Sequence, residues 1–243
     1  MRQSIVVGML GACIVVTLHA QNAPAPRSLE IKFVRDSAEY ATITRQTYRL
    51  AGDAVRRAAQ RAGRTPWAVV LDLDETVFDN SAYQLERAAY GLPFESASWA
   101  AWTERREAGA VPGVSDFIAV VRQLGGRIAW ISNRNTTVEN PTRANLQTLG
   151  VWNDEDRLCL QLDSQHTKRM RRAEVVSGSG NCAWSGRAMK VAVFVGDQMG
   201  DFPTADENIP ETGGDAAFGR TCFLLPNPMY GDWTTRVTRT PER

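Results

Sequence analysis

The segment VVLDLDETVFDN, residues 69 to 80, ends an apolar run in two carboxylates two residues apart, Asp72 and Asp74, with Thr76 two further on. Gathering carboxylates at one strand end is electrostatically unfavourable, because each opposes ionisation of the other. Further apolar runs end in Ser132 and Asn133, in a stretch leading to Lys168, and in Gly196, Asp197 and Asp201. A hard divalent cation relieves several carboxylates in one crevice, and a few carboxylates completed by water suit Mg2+. Ser132, backbone N–H groups and the compact ammonium of Lys168 could then hold a phosphoryl group. Lysine is scarce here, with only Lys32, Lys168 and Lys190. A screened carboxylate can attack phosphorus to form an aspartyl-phosphate, while its neighbour protonates the leaving oxygen and then activates water. Other nucleophiles lack their parts: His166 is the one histidine beyond residue 20, and no cysteine has an arginine six positions on.

Such residues converge only if a fold brings their strand ends together. Short apolar runs of strand length occur at Ala68 to Leu73, Arg127 to Ile131, Leu158 to Leu162, Val191 to Val195 and Cys222 to Leu225. Helical stretches are predicted at Val114 to Leu124, Thr142 to Leu149 and Lys168 to Val176, and one or two leading helices between an N-capping Ser28 and Gly63. This alternation implies an α/β fold, a three-layer parallel sheet covered on both faces, with sites at the carboxyl ends of its strands. Residues 81–110 interrupt the alternation with a helical, aromatic stretch containing Tyr83, Tyr90, Phe94, Trp99 and Trp102, read as a small cap inserted after the first strand. Such aromatics, with Tyr230, form a cap core or stack on a base. The glycine- and serine-rich Ser177 to Arg187 reads as a long surface loop, and His166 as a surface or loop residue.

The 243 residues are 43% hydrophobic and 23% charged with a net charge of +1, an ordinary globular composition that gives no electrostatic footprint for a nucleic-acid polymer. Residues 1–20 carry Arg2, an apolar stretch and Leu18-His19-Ala20, which match an export signal and imply a periplasmic or secreted domain over residues 21–243. Leu10-Gly11-Ala12-Cys13 resembles a lipobox, so membrane attachment, as an outer-membrane lipoprotein, would require lipidation of Cys13. Past that segment only Cys159, Cys182 and Cys222 remain, which excludes a disulfide scaffold.

Taken together, DLDET followed by DN, SNR at 132 to 134, Lys168, GDxxxD at 196 to 201 and PNPMYGDW at 226 to 233 resemble the bacterial class C acid phosphatases of the haloacid dehalogenase superfamily. The resemblance runs from about Ala68 to Trp233. It implies Asp72 as nucleophile, Asp74 as general acid/base, and Mg2+ on Asp72, the Asp74 backbone carbonyl and Asp197, with Asp201 supporting. Ser132 and Lys168 would hold phosphate, assisted by Asn133. The implied substrates are nucleoside monophosphates and other small phosphomonoesters. Gln198, Met199 and Gly200 depart from the family pattern beside Asp197. A non-catalytic binding relative would have lost Asp72, which is present, and a phosphotransferase would pass the phosphoryl group to an alcohol.

Overall fold

Ser37 divides the leading helical stretch. The computed structural model describes residues 28–235, so the expected signal segment and Cys13 lie outside the described residues. Helix α1 (Leu29–Asp36) ends at Ser37, whose hydroxyl accepts from the Tyr40 N–H at 3.0 Å and starts α2 (Ala38–Ala62). Ser28, expected as the cap, makes no capping bond from its side chain. A short serine oxygen is well placed to satisfy a helix's first free N–H groups, and here the second serine does so.

The remaining elements follow in chain order: β1 (Trp67–Leu71), β2 (Phe78–Asp79), α3 (Ser81–Ala89), α4 (Ser96–Arg105), β3 (Gly109–Ala110), α5 (Val114–Gln123), β4 (Arg127–Asn135), α6 (Glu139–Thr148), β5 (Arg157–Gln161), α7 (Lys168–Ser177), β6 (Lys190–Gly196) and β7 (Cys222–Leu224). The apolar runs thus form the five strands of one parallel sheet, ordered β5-β4-β1-β6-β7. Helix α6 begins three residues before the expected Thr142 and takes Pro141 into its first turn, where a missing N–H costs nothing. The chain runs outward from β1 through β4 to β5, then crosses to β6 and β7 on the other side. That reversal places a crevice at the carboxyl ends of β1, β4 and β6.

Successive strand residues point to opposite faces, and both faces are buried. Val69, Leu71, Ile128 and Trp130 pack into one core with Tyr48 and Val55 of α2 and Phe117 of α5. Ala68, Val70, Ala129 and Ile131 pack into the other with Val175 of α7. Residues 177–187 form the expected loop and most of them are exposed, but Cys182 and Trp184 turn inward and join that second core. A glycine-rich composition predicted exposure, but the sheet face beside α7 needed an apolar cover and the loop supplies it. Helices α3 and α4 lie between β2 and β3, which pair antiparallel and frame the insert. Among the described residues no helix is long and apolar enough to cross a membrane.

Asp156 locks β4, β5 and α5 together. Its fully buried carboxylate accepts from the Arg122 guanidinium, from the Ile128 N–H at 3.2 Å and from the Trp130 indole at 3.1 Å. Asp156→Ala leaves a half-buried cation and two buried N–H donors without their acceptor. The expected loss is about 3–5 kcal/mol, read as a lower midpoint and extrapolated stability in urea unfolding.

Candidate active site

Asp72 directly follows β1, and its N–H still bonds the Val195 carbonyl of β6 at 3.1 Å. Asp197 follows β6, and Asp201 ends the short 3-10 turn Met199–Asp201. The carboxylates of these three buried residues place ligand oxygens within 4.8 Å of one another. Lys168, the first residue of α7, inserts between them, its Nζ 2.5 Å from Asp72 Oδ1 and 2.5 Å from Asp201 Oδ1. Burial alone would push the lysine pKa down, but the two carboxylates more than reverse this and keep its ammonium charged.

One ammonium does not balance three carboxylates. Burial pushes the Asp72 pKa well above the usual range, Lys168 opposes this, and Asp201, Asp197 and Asp74 reinforce it. Burial, then Asp201, raises Asp197 to about 6, against the bond from Asn227. Three hard oxygen donors short of two positive charges fit a divalent cation.

Neighbouring groups fix each carboxylate. Asp197 accepts from Thr76 Oγ1 at 3.4 Å and from Asn227 Nδ2 at 2.7 Å. The Thr76 carbonyl is in turn held by the Tyr48 hydroxyl of α2 at 2.5 Å. Asn227 is set by its own turn, accepting from the Met229 N–H at 3.0 Å. Asp201 Oδ2 accepts from the Gln198 N–H at 2.9 Å, and Arg172 holds the adjacent Gly200 carbonyl at 3.0 Å while pairing with Glu207. Gly196 is required by packing, because a Cβ there would lie 2.4 Å from the Asp201 side chain.

The Asp74 side chain lies outside that cluster. Its Oδ1 accepts from Arg134 Nη2 at 2.7 Å and from Asn80 Nδ2 at 2.9 Å, and Arg134 Nε is 3.1 Å from both oxygens. The Asp74 carboxylate is thus engaged by Arg134 and Asn80, apart from the cluster of Asp72, Asp197 and Asp201. Glu75, next in sequence, takes a left-handed backbone with φ 58°, and burial pushes its carboxyl well above the usual range. A non-glycine residue in that region costs about 1–3 kcal/mol and marks a tightly determined turn.

Ser132 shares this crevice, its hydroxyl 3.5 Å from Asp74 Oδ2. Asn133 is exposed, and Arg171 Nη2 holds its Oδ1 at 2.7 Å, which leaves the amide N–H groups free to donate. Arg171 also donates to the Ser132 carbonyl and, at 3.2 Å, to that of Cys159. Asn80, Arg134 and Asn227 lie within the motifs read from the sequence but were given no role there, and Arg171 was not singled out. Strand alternation carried a signal for Arg134, since Ser132 and Arg134 share one face of β4. His166 lies in the loop between β5 and α7, as expected, but it is buried there: Nδ1 accepts from the Leu162 N–H at 3.4 Å and Nε2 faces Glu174 Oε1 at 3.2 Å.

A family model described as HAD superfamily, subfamily IIIB (Acid phosphatase) matches residues 14–233. The structure of the class C acid phosphatase from Bacillus anthracis is similar at 30% identity and TM-score 0.71, over 84% of this chain and 85% of that one. A crystal structure of class C acid phosphatase from the same organism with tungstate bound matches at 29% identity and TM-score 0.70, with the same coverage.

Gly196→Ala forces the Asp201 carboxylate out of the cluster. Divalent-cation affinity should fall by about 10–100-fold, as for other changes that misorient a ligand, measured by calorimetric Mg2+ titration of the folded variant.

Proposed function

Because the chain belongs to subfamily IIIB of the HAD superfamily, the acid phosphatases, and is a phosphomonoesterase of small phosphate esters, we propose that it works through an aspartyl-phosphate on Asp72. The observation that carries this reading is the buried cluster of Asp72, Asp197 and Asp201 around Lys168 at the strand ends. Asp72, Asp197 and the Asp74 backbone carbonyl would hold Mg2+, with Asp201 supporting. Bound there, Mg2+ supplies charge neutralisation, so that a phosphate dianion and a carboxylate can approach.

The chain's own groups then divide the work. Lys168, Ser132 and the Asn133 amide hold the phosphoryl oxygens, and tungstate in the Bacillus anthracis relative is an oxyanion of comparable shape. An Asp72 oxygen attacks phosphorus as the bond to the ester oxygen breaks, and Asp74 gives that oxygen its proton, releasing an alcohol. Asp74, now ionised, takes a proton from water. The resulting hydroxide attacks phosphorus, the bond to Asp72 breaks, and phosphate leaves with Asp74 protonated again. Two carboxylates in different surroundings thus take different roles.

Nucleoside monophosphates are the proposed substrate class. The insert supplies candidate stacking rings: Phe94 is 63% exposed, and Trp99 is half-buried against Tyr83 at 5.0 Å between ring centroids. Action outside the cytoplasm, after cleavage near residue 20, follows from the character of residues 1–20.

Purified protein with Mg2+ should hydrolyse p-nitrophenyl phosphate and stop when chelator is added. Asp72→Asn should reduce turnover to background with unchanged far-ultraviolet circular dichroism; undiminished activity would exclude the aspartyl-phosphate route. On a substrate panel, kcat/KM for nucleoside monophosphates should exceed that for sugar phosphates by at least about tenfold, a difference of 1.4 kcal/mol in transition-state binding. Phe94→Ala should narrow that gap.

A further inference from the structure

We infer that Arg134 is the positioning residue for Asp74, and that it couples the aim of this carboxyl group to the helical insert. The inference rests on the role proposed above for Asp74 as acid and base. Arg134 is buried in β4, where its Nε and Nη2 form a fork on the Asp74 carboxylate, with contacts of 3.1 and 2.7 Å. Planar two-point contacts of this kind set orientation as well as distance.

The guanidinium is itself held from several directions. Its Nη1 donates to Thr142 Oγ1 of α6 at 3.2 Å, and its backbone N–H donates to Ser132 Oγ at 3.1 Å. Its Cζ lies 4.6 Å from the Phe78 ring centroid and 5.4 Å from that of Trp99. Phe78 belongs to β2 at the root of the insert, and Trp99 to α4 within it. A second route joins the same elements: the Trp102 indole of α4 donates to Asn80 Oδ1 at 2.9 Å, and the Asn80 amide donates to Asp74 Oδ1.

The donors are unequally shared. Among the described residues, Oδ1 receives Arg134 Nη2, Asn80 Nδ2 and part of Nε, whereas Oδ2 receives only the other part of Nε and the 3.5 Å contact from Ser132. Oδ2 is therefore the oxygen left to carry the transferable proton. Arg134 sets which oxygen that is and where it points after each transfer. A misaimed acid fails most on substrates that need it: an alkyl ester must be protonated as it leaves, while p-nitrophenolate leaves unaided.

The test compares p-nitrophenyl phosphate with an alkyl phosphate at saturating Mg2+, for wild type, Arg134→Met, Arg134→Lys, Thr142→Val and Asp74→Asn. Arg134→Met should lower kcat/KM, which ends at departure of the ester oxygen and excludes the hydrolysis step both esters share, about 10²-fold more on the alkyl ester than on the aryl ester, the lower end of what acid–base catalysis supplies. Lysine, which keeps the charge but lacks the fork, should fall between. Equal losses of kcat/KM on both esters would overturn the inference. Should Arg134→Met not fold, Thr142→Val decides: a smaller shift in the same direction supports the inference, and an unchanged ratio overturns it. Asp74→Asn separates the two levels. An unchanged ester ratio there overturns the role of Asp74 and this inference with it, whereas a changed ratio there with none in the Arg134 variants overturns this inference alone.

Discussion

The structure depends on a shortage of positive charge. Asp72, Asp197 and Asp201 are buried together with a single ammonium between them. Buried carboxylates lose their hydration and repel one another, so such a group persists only where the surrounding fold fixes it. Much of the chain can be understood as that fixation: Tyr48 through Thr76, the 226–233 turn through Asn227, Arg172 through Gly200, and the bare backbone of Gly196. Asp74, two residues from Asp72, is compensated by its own cation, Arg134. One carboxylate cluster is left short of charge and the other carboxylate is satisfied. This contrast separates the two sets of carboxylates more clearly than sequence position does, and it supports the different roles proposed for them.

The basic run at the start of α7 shows how misleading composition is for such a site. As a string, KRMRR suggests a solvated helix face. Only Arg169 behaves that way, pairing with Asp206 at the surface. Lys168 enters the carboxylate cluster, Arg171 ties the ends of β4 and β5, and Arg172 braces the segment leading into Asp201. A helix turns about 100° per residue, so four neighbouring cations can serve four different surroundings.

The sheet was legible because β-branched and apolar runs alternate with glycine-bounded helices, a pattern that depends on local chemistry. Asp72, Asp197, Ser132 and Lys168 were legible because strand ends converge in any parallel sheet of this kind. What escaped the sequence depends on which distant groups meet. Asn80 matters only because Trp102 and Asp74 lie on either side of it, and Asn227 only because its turn folds back onto Asp197. The burial of His166, Cys182 and Trp184 within their loops was missed because polarity and glycine content predict exposure. Glu174 holds both, accepting from the Cys182 N–H at 2.9 Å while facing His166.

The central position of β1 has a further consequence, for the order in which the molecule is assembled. Its neighbour on one side, β4, comes early in the chain, but the neighbour carrying Asp197 comes late: 121 residues separate Thr76 from the carboxylate it touches. Loop-closure entropy sets the cost of bringing such distant segments together. Before β6 docks, neither Asp197 nor Asp201 stands beside Asp72. Reactivity in this fold is therefore a property of completion.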